Sequence, residues 1–436
     1  MNIRRATPRF RFRFIRPIFA SGALLLALMP AGSHAGDDPQ PASTPASASN
    51  DPFVKFEDQI KALGDKGVLF QLNYSGEYFA DISGGMRRGG NYEGLLTLAL
   101  TLDLKKVAGW DGATFYASAL YPHGDGITNK YVGDYNMLSN IDAYDSFRLY
   151  ELWLEQKSGD DKLSIRAGQL VLDNYFLVSD NAALFINSTF GVPGIVTHDF
   201  TAPTFPAGSL GIRLRYDPSP SFYLQAMVAD GDPGAQDGND RHGVLFDLSR
   251  SSGAMGFAEA GYVVKPPDGN ARLGGSYKIG GFYSTSFYPD NSSGQLHHGD
   301  GGVYAVIDQQ LYRAPGSTKD AFQGLGAFGR IGYAPDDRNP VFFYFDTGIN
   351  YTGLLPNRPK DNFGVAFSYE KLSDKLLQPT GLPVPSHREN VLEATYLANL
   401  NNWFSLQPDL QYIVNPGGFL TTRNAVVAGI RFNISF

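Results

Sequence analysis

"NAVVAGIRFNISF", residues 424–436, alternates in side-chain character without interruption. Val426, Ala428, Ile430, Phe432, Ile434 and Phe436 fall on one face, and Ala425, Val427, Gly429, Arg431, Asn433 and Ser435 fall on the other. A period of two over such a length is the pattern of a β-strand whose sides meet different environments. At a sheet edge, so regular a strand would leave a row of unpaired N–H and C=O groups. Closing the sheet into a barrel, with this strand paired to the first, removes the edge.

The same alternation runs through the chain from residue 68 onward. In "FQLNYSGEY" (70–78), Phe70, Leu72, Tyr74 and Tyr78 oppose Gln71, Asn73, Ser75 and Glu77. "EGLLTLALTLD" (93–103) and "LQPDLQY" (406–412) repeat the pattern. A water-soluble barrel would turn the apolar face inward. Here the polar face carries charges on most strands, more than a dry core holds. Tyr74, Tyr78, Tyr216, Tyr333, Tyr351 and Tyr412 fall near strand ends, as interfacial aromatics do. The apolar face is therefore expected to meet lipid and the polar face a lumen.

Seventeen stretches qualify as strands, from 68–81 to 424–436. "HGVLFDLS" (242–249) lacks clean alternation and sits among Gly, Asp and Asn. Assigning it to a loop leaves sixteen, an even number, as single-chain bacterial barrels require. The predicted fold is all-β, a 16-stranded antiparallel transmembrane β-barrel over 66–436. Fifty glycines, 13% aromatics and the lack of cysteine suit it, because a closed hydrogen-bonded sheet is constrained without disulfides.

The front of the chain reads as an export leader. "MNIRRATPRFRFRFIRP" has six arginines and no acid, "IFASGALLLALMPAG" is a short apolar run, and "SHA" offers small residues for cleavage. Residues 1–35 are thus expected to be a signal peptide and 36–52, rich in Pro, Ala and Ser, a flexible linker. "DPFVKFEDQIKALG" puts Phe53, Phe56, Ile60 and Leu63 on one face, which predicts an amphipathic helix over 53–65 at the periplasmic mouth. Without the six leader arginines, 30 of the 36 basic residues remain against 43 acidic ones, a net of −13. That balance argues against nucleic acid or another polyanion as cargo.

A 16-stranded barrel encloses an aqueous channel unless something narrows it. The segment 171–206 is too long for a routine connection and too apolar for exposure, with Ala182, Ala183, Leu184, Phe185 and Ile186 in a row. It is expected to fold into the lumen as a constriction loop, presenting Asp180, Asn181, Asn187 and Ser188 to the pore. Along 147–156, alternation puts Tyr150, Leu152 and Leu154 toward lipid and Glu151, Trp153 and Glu155 toward the lumen. By the same phase Ser164, Arg166, Gly168, Arg213 and Arg215 point inward. Further round the barrel, Lys278, Arg330, Arg431, Glu259, Asp308, Asp346, Glu370 and Glu393 do so too. Mixed charges with an aromatic plate suit a neutral polyol: forked donors and carboxylate acceptors bond hydroxyls, and an aromatic face stacks on the C–H face of a sugar ring. The candidate sugar-binding set is Trp153, Glu151, Glu155, Arg166, Arg213, Arg215, Glu77, Asn73, Asp180 and Asn181. For any one of these charges, the plainer reading is that it solvates the lumen.

"RAGQLVLDNYFLVSDNAALFINSTFG", "GRIGYAPDDRNP", "LNNWFSLQPDLQYIVNPGG" and the terminal "NAVVAGIRFNISF" resemble the carbohydrate-selective outer-membrane porins of the OprB type. The similarity runs from about residue 53 to the end, and "QPDLQYIVNPGG" is its most specific block. The resemblance implies a bacterial outer-membrane barrel that passes glucose-like sugars by facilitated diffusion. It also implies a pore narrowed by inward loops and lined by arginine and acidic residues, and assembly machinery that reads the terminal Phe436. Expected partners are a small sugar, the bilayer with its lipopolysaccharide, and further copies in a homotrimer.

An enzyme would need a nucleophile with a base. His123, His198, His242, His297, His298 and His387 all fall in expected loops with no Ser–His pairing, so no catalytic site and no cofactor is expected. "LHHGD" (296–300) offers His297, His298 and Asp300, a weak metal signal. The serious rival is a general diffusion porin, which shares the fold and lacks a saturable sugar site.

Overall fold

A computed structural model describes residues 62–436, apart from 235–239, 247, 249–251, 266–272, 316, 318–321, 377–387 and 419. The expected leader, the linker and residues 53–61 of the expected helix lie outside the described residues. Residues 62–65 form one helical turn ahead of the first strand.

Sixteen strands follow among the described residues. They are β1 (Val68–Gly85), β2 (Gly89–Asp103), β3 (Ala113–Gly124), β4 (Arg148–Lys157), β5 (Leu163–Leu170), β6 (Ser209–Ser219), β7 (Phe222–Asp230) and β8 (Ala254–Val264). Then come β9 (Gly275–Pro289), β10 (Leu296–Arg313), β11 (Gly324–Tyr333), β12 (Val341–Thr352), β13 (Asn362–Leu372), β14 (Arg388–Asn399), β15 (Phe404–Val414) and β16 (Arg423–Ser435). Each pairs antiparallel with its chain neighbours, and β16 closes the sheet on β1. The seam holds register from Asn73 opposite Ser435 to Tyr78 opposite Ile430. It continues past β16, where Phe436 N donates to Leu72 O at 2.9 Å and Leu72 N to Phe436 O at 3.1 Å. The described part of 242–249 forms no strand, so its assignment to a loop stands.

Exposure shows which way the sheet faces. Along β7 it alternates residue by residue: Leu224 is 44% exposed, Gln225 5%, Met227 2% and Val228 58%. The exposed positions are aliphatic and a polar side chain is buried, the reverse of a soluble barrel. On β6, Ile212 and Leu214 are exposed while Arg213 between them is buried. The outward face suits hydrocarbon, and Tyr78, Tyr216 and Tyr333 are exposed on it.

The inner face is drier than its charges suggest. Two loops enter the barrel: the expected one between β5 and β6 (171–208), and the one between β3 and β4 (125–147). Phe176 and Phe200 of the first pack with Phe257, Phe282 and Val306 of the wall. Phe185, Ile186 and Phe190 pack with Ile127 and Leu138 of the second loop and with Phe328, Val391, Ile413 and Val427 of the wall. Each such fully buried side chain contributes about 2 kcal/mol. The inward faces of β7–β16 are therefore partly apolar because they cover loops.

Two expectations fail locally. Tyr150 does not face lipid. The β3–β4 register shifts so that Ser118 pairs with Glu151 and Ala119 with Leu149, and Tyr150 is turned inward by the irregularity. It is buried and meets Phe205 edge-on at 6.1 Å. Nor do all histidines sit in loops. His123 lies on β3 against Tyr74, Tyr92 and Tyr121, and His297 and His298 open β10.

Candidate constriction site

The β5–β6 loop is fastened by wall side chains whose inward direction alternation predicts. Asp308 Oδ1 accepts from Ser179 Oγ at 2.6 Å and from Asn181 N at 3.1 Å. Glu393 accepts from Ile186 N and Asn187 N at 2.6 and 2.9 Å. Glu370 accepts from Gly194 N at 3.2 Å, at the start of the short helix Gly194–Thr197. Lys278 Nζ donates to Val178 O at 2.6 Å. Arg330 donates to the carbonyls of Leu177, Thr189 and Gly191 at 3.2, 3.1 and 2.6 Å, and it pairs with Asp346 at 2.5 Å. Loop backbone polar groups thus find partners inside the barrel, which is what allows a loop to be buried.

The β3–β4 loop is held in the same way. Glu389 accepts from Tyr135 N and Asn136 N at 2.6 and 2.9 Å. Arg431 pairs with Glu77 at 2.5 Å and donates to Ser139 Oγ at 3.1 Å. Gln411 Nε2 donates to Leu138 O at 3.1 Å. Many residues read as pore lining are therefore loop anchors: Glu77, Lys278, Asp308, Arg330, Asp346, Glu370, Glu393 and Arg431.

A second set of inward groups lies on β3–β7. Trp153 lies between two partners. Tyr116 stacks on it with centroids 4.8 Å apart and planes 19° apart, and the guanidinium carbon of Arg166 is 3.6 Å from its ring centroid. Arg166 pairs with Glu155 at 3.0 Å and donates to Tyr175 Oη at 2.8 Å. Tyr175 Oη donates to Glu151 at 2.9 Å, and Asn174 Nδ2 donates to the other Glu151 oxygen at 2.9 Å. Arg213 lies 4.7 Å from the Tyr175 ring and donates to Gln225 Oε1 at 2.7 Å. Arg215 lies 4.1 Å from the Tyr223 ring and pairs with Asp217 at 2.7 Å. Gly168, opposite Trp153 in register, has a φ of 143°, and a Cβ there would sit 2.1 Å from Leu152 O. Only glycine fits that approach.

Of the ten predicted site residues, the structure brings six together on adjacent strands: Glu151, Trp153 and Glu155 on β4, Arg166 on β5, and Arg213 and Arg215 on β6. Asp180 and Asn181 sit on the inserted loop beside Asp308, with Asp180 exposed and Asn181 half-buried. Glu77 and half-buried Asn73 lie on β1, apart from that group. The reading of Trp153 as an open stacking plate is corrected, since the indole is only 8% exposed and protein groups cover both of its faces. Tyr116, Tyr175, Tyr223 and Gln225 went unnoticed in the sequence. Tyr116, Tyr223 and Gln225 have the inward parity of their strands and could have been found. Tyr175 is on a loop, where no period applies.

Burial shifts the titration of several loop groups, Asp173 and His198 among them. Burial pushes the Asp173 carboxyl up to about 7. Burial also pulls His198 down to about 3, so its imidazole, 4.0 Å from the Tyr135 ring, is neutral.

Residues 87–436 match the family model described as "Carbohydrate-selective porin, OprB family". The chain belongs to this family. The porin is 26% identical to Porin B of Pseudomonas aeruginosa over 86% of this chain and 88% of that protein. It is 21% identical to the putative porin QuiX of Acinetobacter baylyi over 86% and 90% of the two chains. Its fold superposes on a structure of Pseudomonas putida OprB determined at high pH with a TM-score of 0.80 and 24% identity, covering 88% of this chain and 97% of the other. The porin is a β-barrel channel of the bacterial outer membrane, and its family is selective for carbohydrates.

Proposed function

We propose that this porin conducts neutral, glucose-sized sugars and related polyols by facilitated diffusion past the β3–β7 wall. The supporting observation is the Tyr116–Trp153–Arg166–Tyr175 column with Glu151 and Glu155 beside it. Ring hydroxyls need donors and acceptors within one ring width. Arg166 and Arg215 supply forked donors, Glu155 an acceptor, and the half-buried Tyr116 an apolar edge. Opposite charges held in pairs present little net field, which suits an uncharged solute. Asp180, exposed on the inserted loop, offers a further acceptor next to Asn181.

One observation favours the rival, a weakly selective diffusion porin: the covered indole leaves no broad aromatic plate for a sugar to lie on. Planar-bilayer recording separates the two. On the first reading, glucose blocks ion current saturably, and Arg166→Ala weakens the block about five-fold. Current that falls only in proportion to sugar concentration, with no saturation, supports the rival.

A further inference from the structure

We infer that Asp290, His297 and Asp337 form a binding site for a divalent transition-metal ion of the zinc class at the outer rim of the barrel. The site is separate from the sugar passage. Asp290 opens the β9–β10 loop, His297 is the second residue of β10, and Asp337 lies in the β11–β12 loop. One ligand atom from each lies within 4.8 Å of the other two.

The spacing points to a shared ion. His297 Nε2 and Asp290 Oδ2 are 3.5 Å apart, at the long limit for a hydrogen bond. Two ligands on one tetrahedral zinc, with bonds of about 2.0–2.2 Å, sit roughly 3.4 Å from each other.

The carboxylates are prepared for the role. Asp290 Oδ1 accepts from the N–H groups of Ser292 and Ser293 at 3.0 and 2.7 Å and from their hydroxyls at 2.7 and 2.9 Å, which leaves Oδ2 for His297. Arg338 donates to both Asp337 oxygens at 3.1 and 2.8 Å and fixes the orientation of that carboxylate. Each oxygen retains a lone pair, and such outer contacts orient metal-binding carboxylates. The guanidinium charge opposes the ion, so binding is weaker than in a closed structural site.

The two loops are already docked. Asn291 N donates to Asp337 O at 2.7 Å, and Asn291 Nδ2 donates to Asn339 O at 2.9 Å. One imidazole with two carboxylates prefers a borderline transition ion to calcium or magnesium. The ion would stitch the two loops together and keep an open position for water. The grouping of His297 with His298 and Asp300 that the sequence suggests is replaced. His298 packs edge-on against Phe287 at 5.1 Å, and Asp300 Oδ1 accepts from Asn339 Nδ2 at 3.1 Å.

The test is calorimetric titration of the folded, detergent-solubilised porin with zinc chloride, with calcium chloride in parallel. Folding of each variant is checked by its heat-dependent gel mobility. One zinc per chain is expected, with affinity at least ten-fold weaker in His297→Ala and in Asp290→Asn and unchanged in His298→Ala. Zinc should slow hydrogen exchange in 290–297 and 334–340 of the wild type and leave His297→Ala unaffected. Zinc binding that survives His297→Ala is adventitious binding elsewhere and overturns the site. Equal loss in His298→Ala overturns the ligand assignment, and calcium binding as tightly as zinc overturns the ion class.

Discussion

The guanidinium carbon of Arg166 lies over the Trp153 indole, 3.6 Å from its centroid, and Tyr116 stacks on the same indole with centroids 4.8 Å apart. A cation–π contact that keeps some solvent access contributes about 1 kcal/mol, roughly five-fold in an equilibrium constant. Trp153→Ala frees Arg166 and should weaken saturable sugar block by about that factor while open-channel conductance rises. Trp153→Phe keeps a plate for the guanidinium and should stay near wild type. Bilayer recordings with glucose check both, and unchanged block in Trp153→Ala would detach this column from sugar recognition.

Arg330 joins β11 to three carbonyls of the inserted loop, and both it and its partner Asp346 are almost wholly buried. Arg330→Ala strands a buried carboxylate, at a cost of about 3–5 kcal/mol. The variant should show larger or noisier conductance and faster hydrogen exchange in 177–191. Arg330→Ala with Asp346→Ala should recover part of the loss, because no lone charge remains. If the single and double variants exchange at the same rate, the ion pair is not what fastens the loop.

Asp173 ties the two ends of the inserted loop by accepting from Phe205 N at 3.1 Å. Burial raises its folded-state pKa to about 7, with Glu151 adding to the shift, whereas unfolded chain releases the proton near pH 4. The native form therefore binds more protons between these values. Its contribution is complete below about pH 4, fades through the interval and is gone above about 7, a span of roughly 4 kcal/mol. Asp173→Asn should abolish this decline and keep loop protection at pH 8. Hydrogen exchange over 172–176 and 203–207, corrected for intrinsic rate, would show it. Parallel decline in both proteins would assign the effect to other carboxyls.

Phe436 supplies two backbone hydrogen bonds to Leu72, and its ring lies 6.3 Å from Trp403 with planes 9° apart. Removing it takes both bonds from the seam that closes the barrel. Deletion of Phe436 should lower the heat needed to convert the folded gel band and reduce the amount of folded barrel in the outer membrane. Replacement by Tyr should retain both. A deletion variant that assembles like wild type would show that β16 closes without this residue.

Strand number, order and sidedness could be read from the chain because lipid imposes one condition on every outward position. The resulting period of two survives over 424–436, 70–78 and 93–103. That period names the face a residue occupies and says nothing about what covers it. Arg330 and Arg166 have the same inward parity, yet one is an anchor for a buried loop and the other lies beside the indole column. The difference comes from loop residues far away in sequence, such as Thr189 and Tyr175, whose positions follow no period. Length and apolar content exposed the β5–β6 loop as an insert, whereas the β3–β4 loop offered neither signal strongly. The inward turn of Tyr150 depends on a register shift against Ser118 and Ala119, a property of the pair of strands and not of either alone. Sequence by itself determined the barrel and the side that regularly paired residues face. Only the tertiary structure decided which inward charges remain beside the passage, because that depends on which of them the two loops consume.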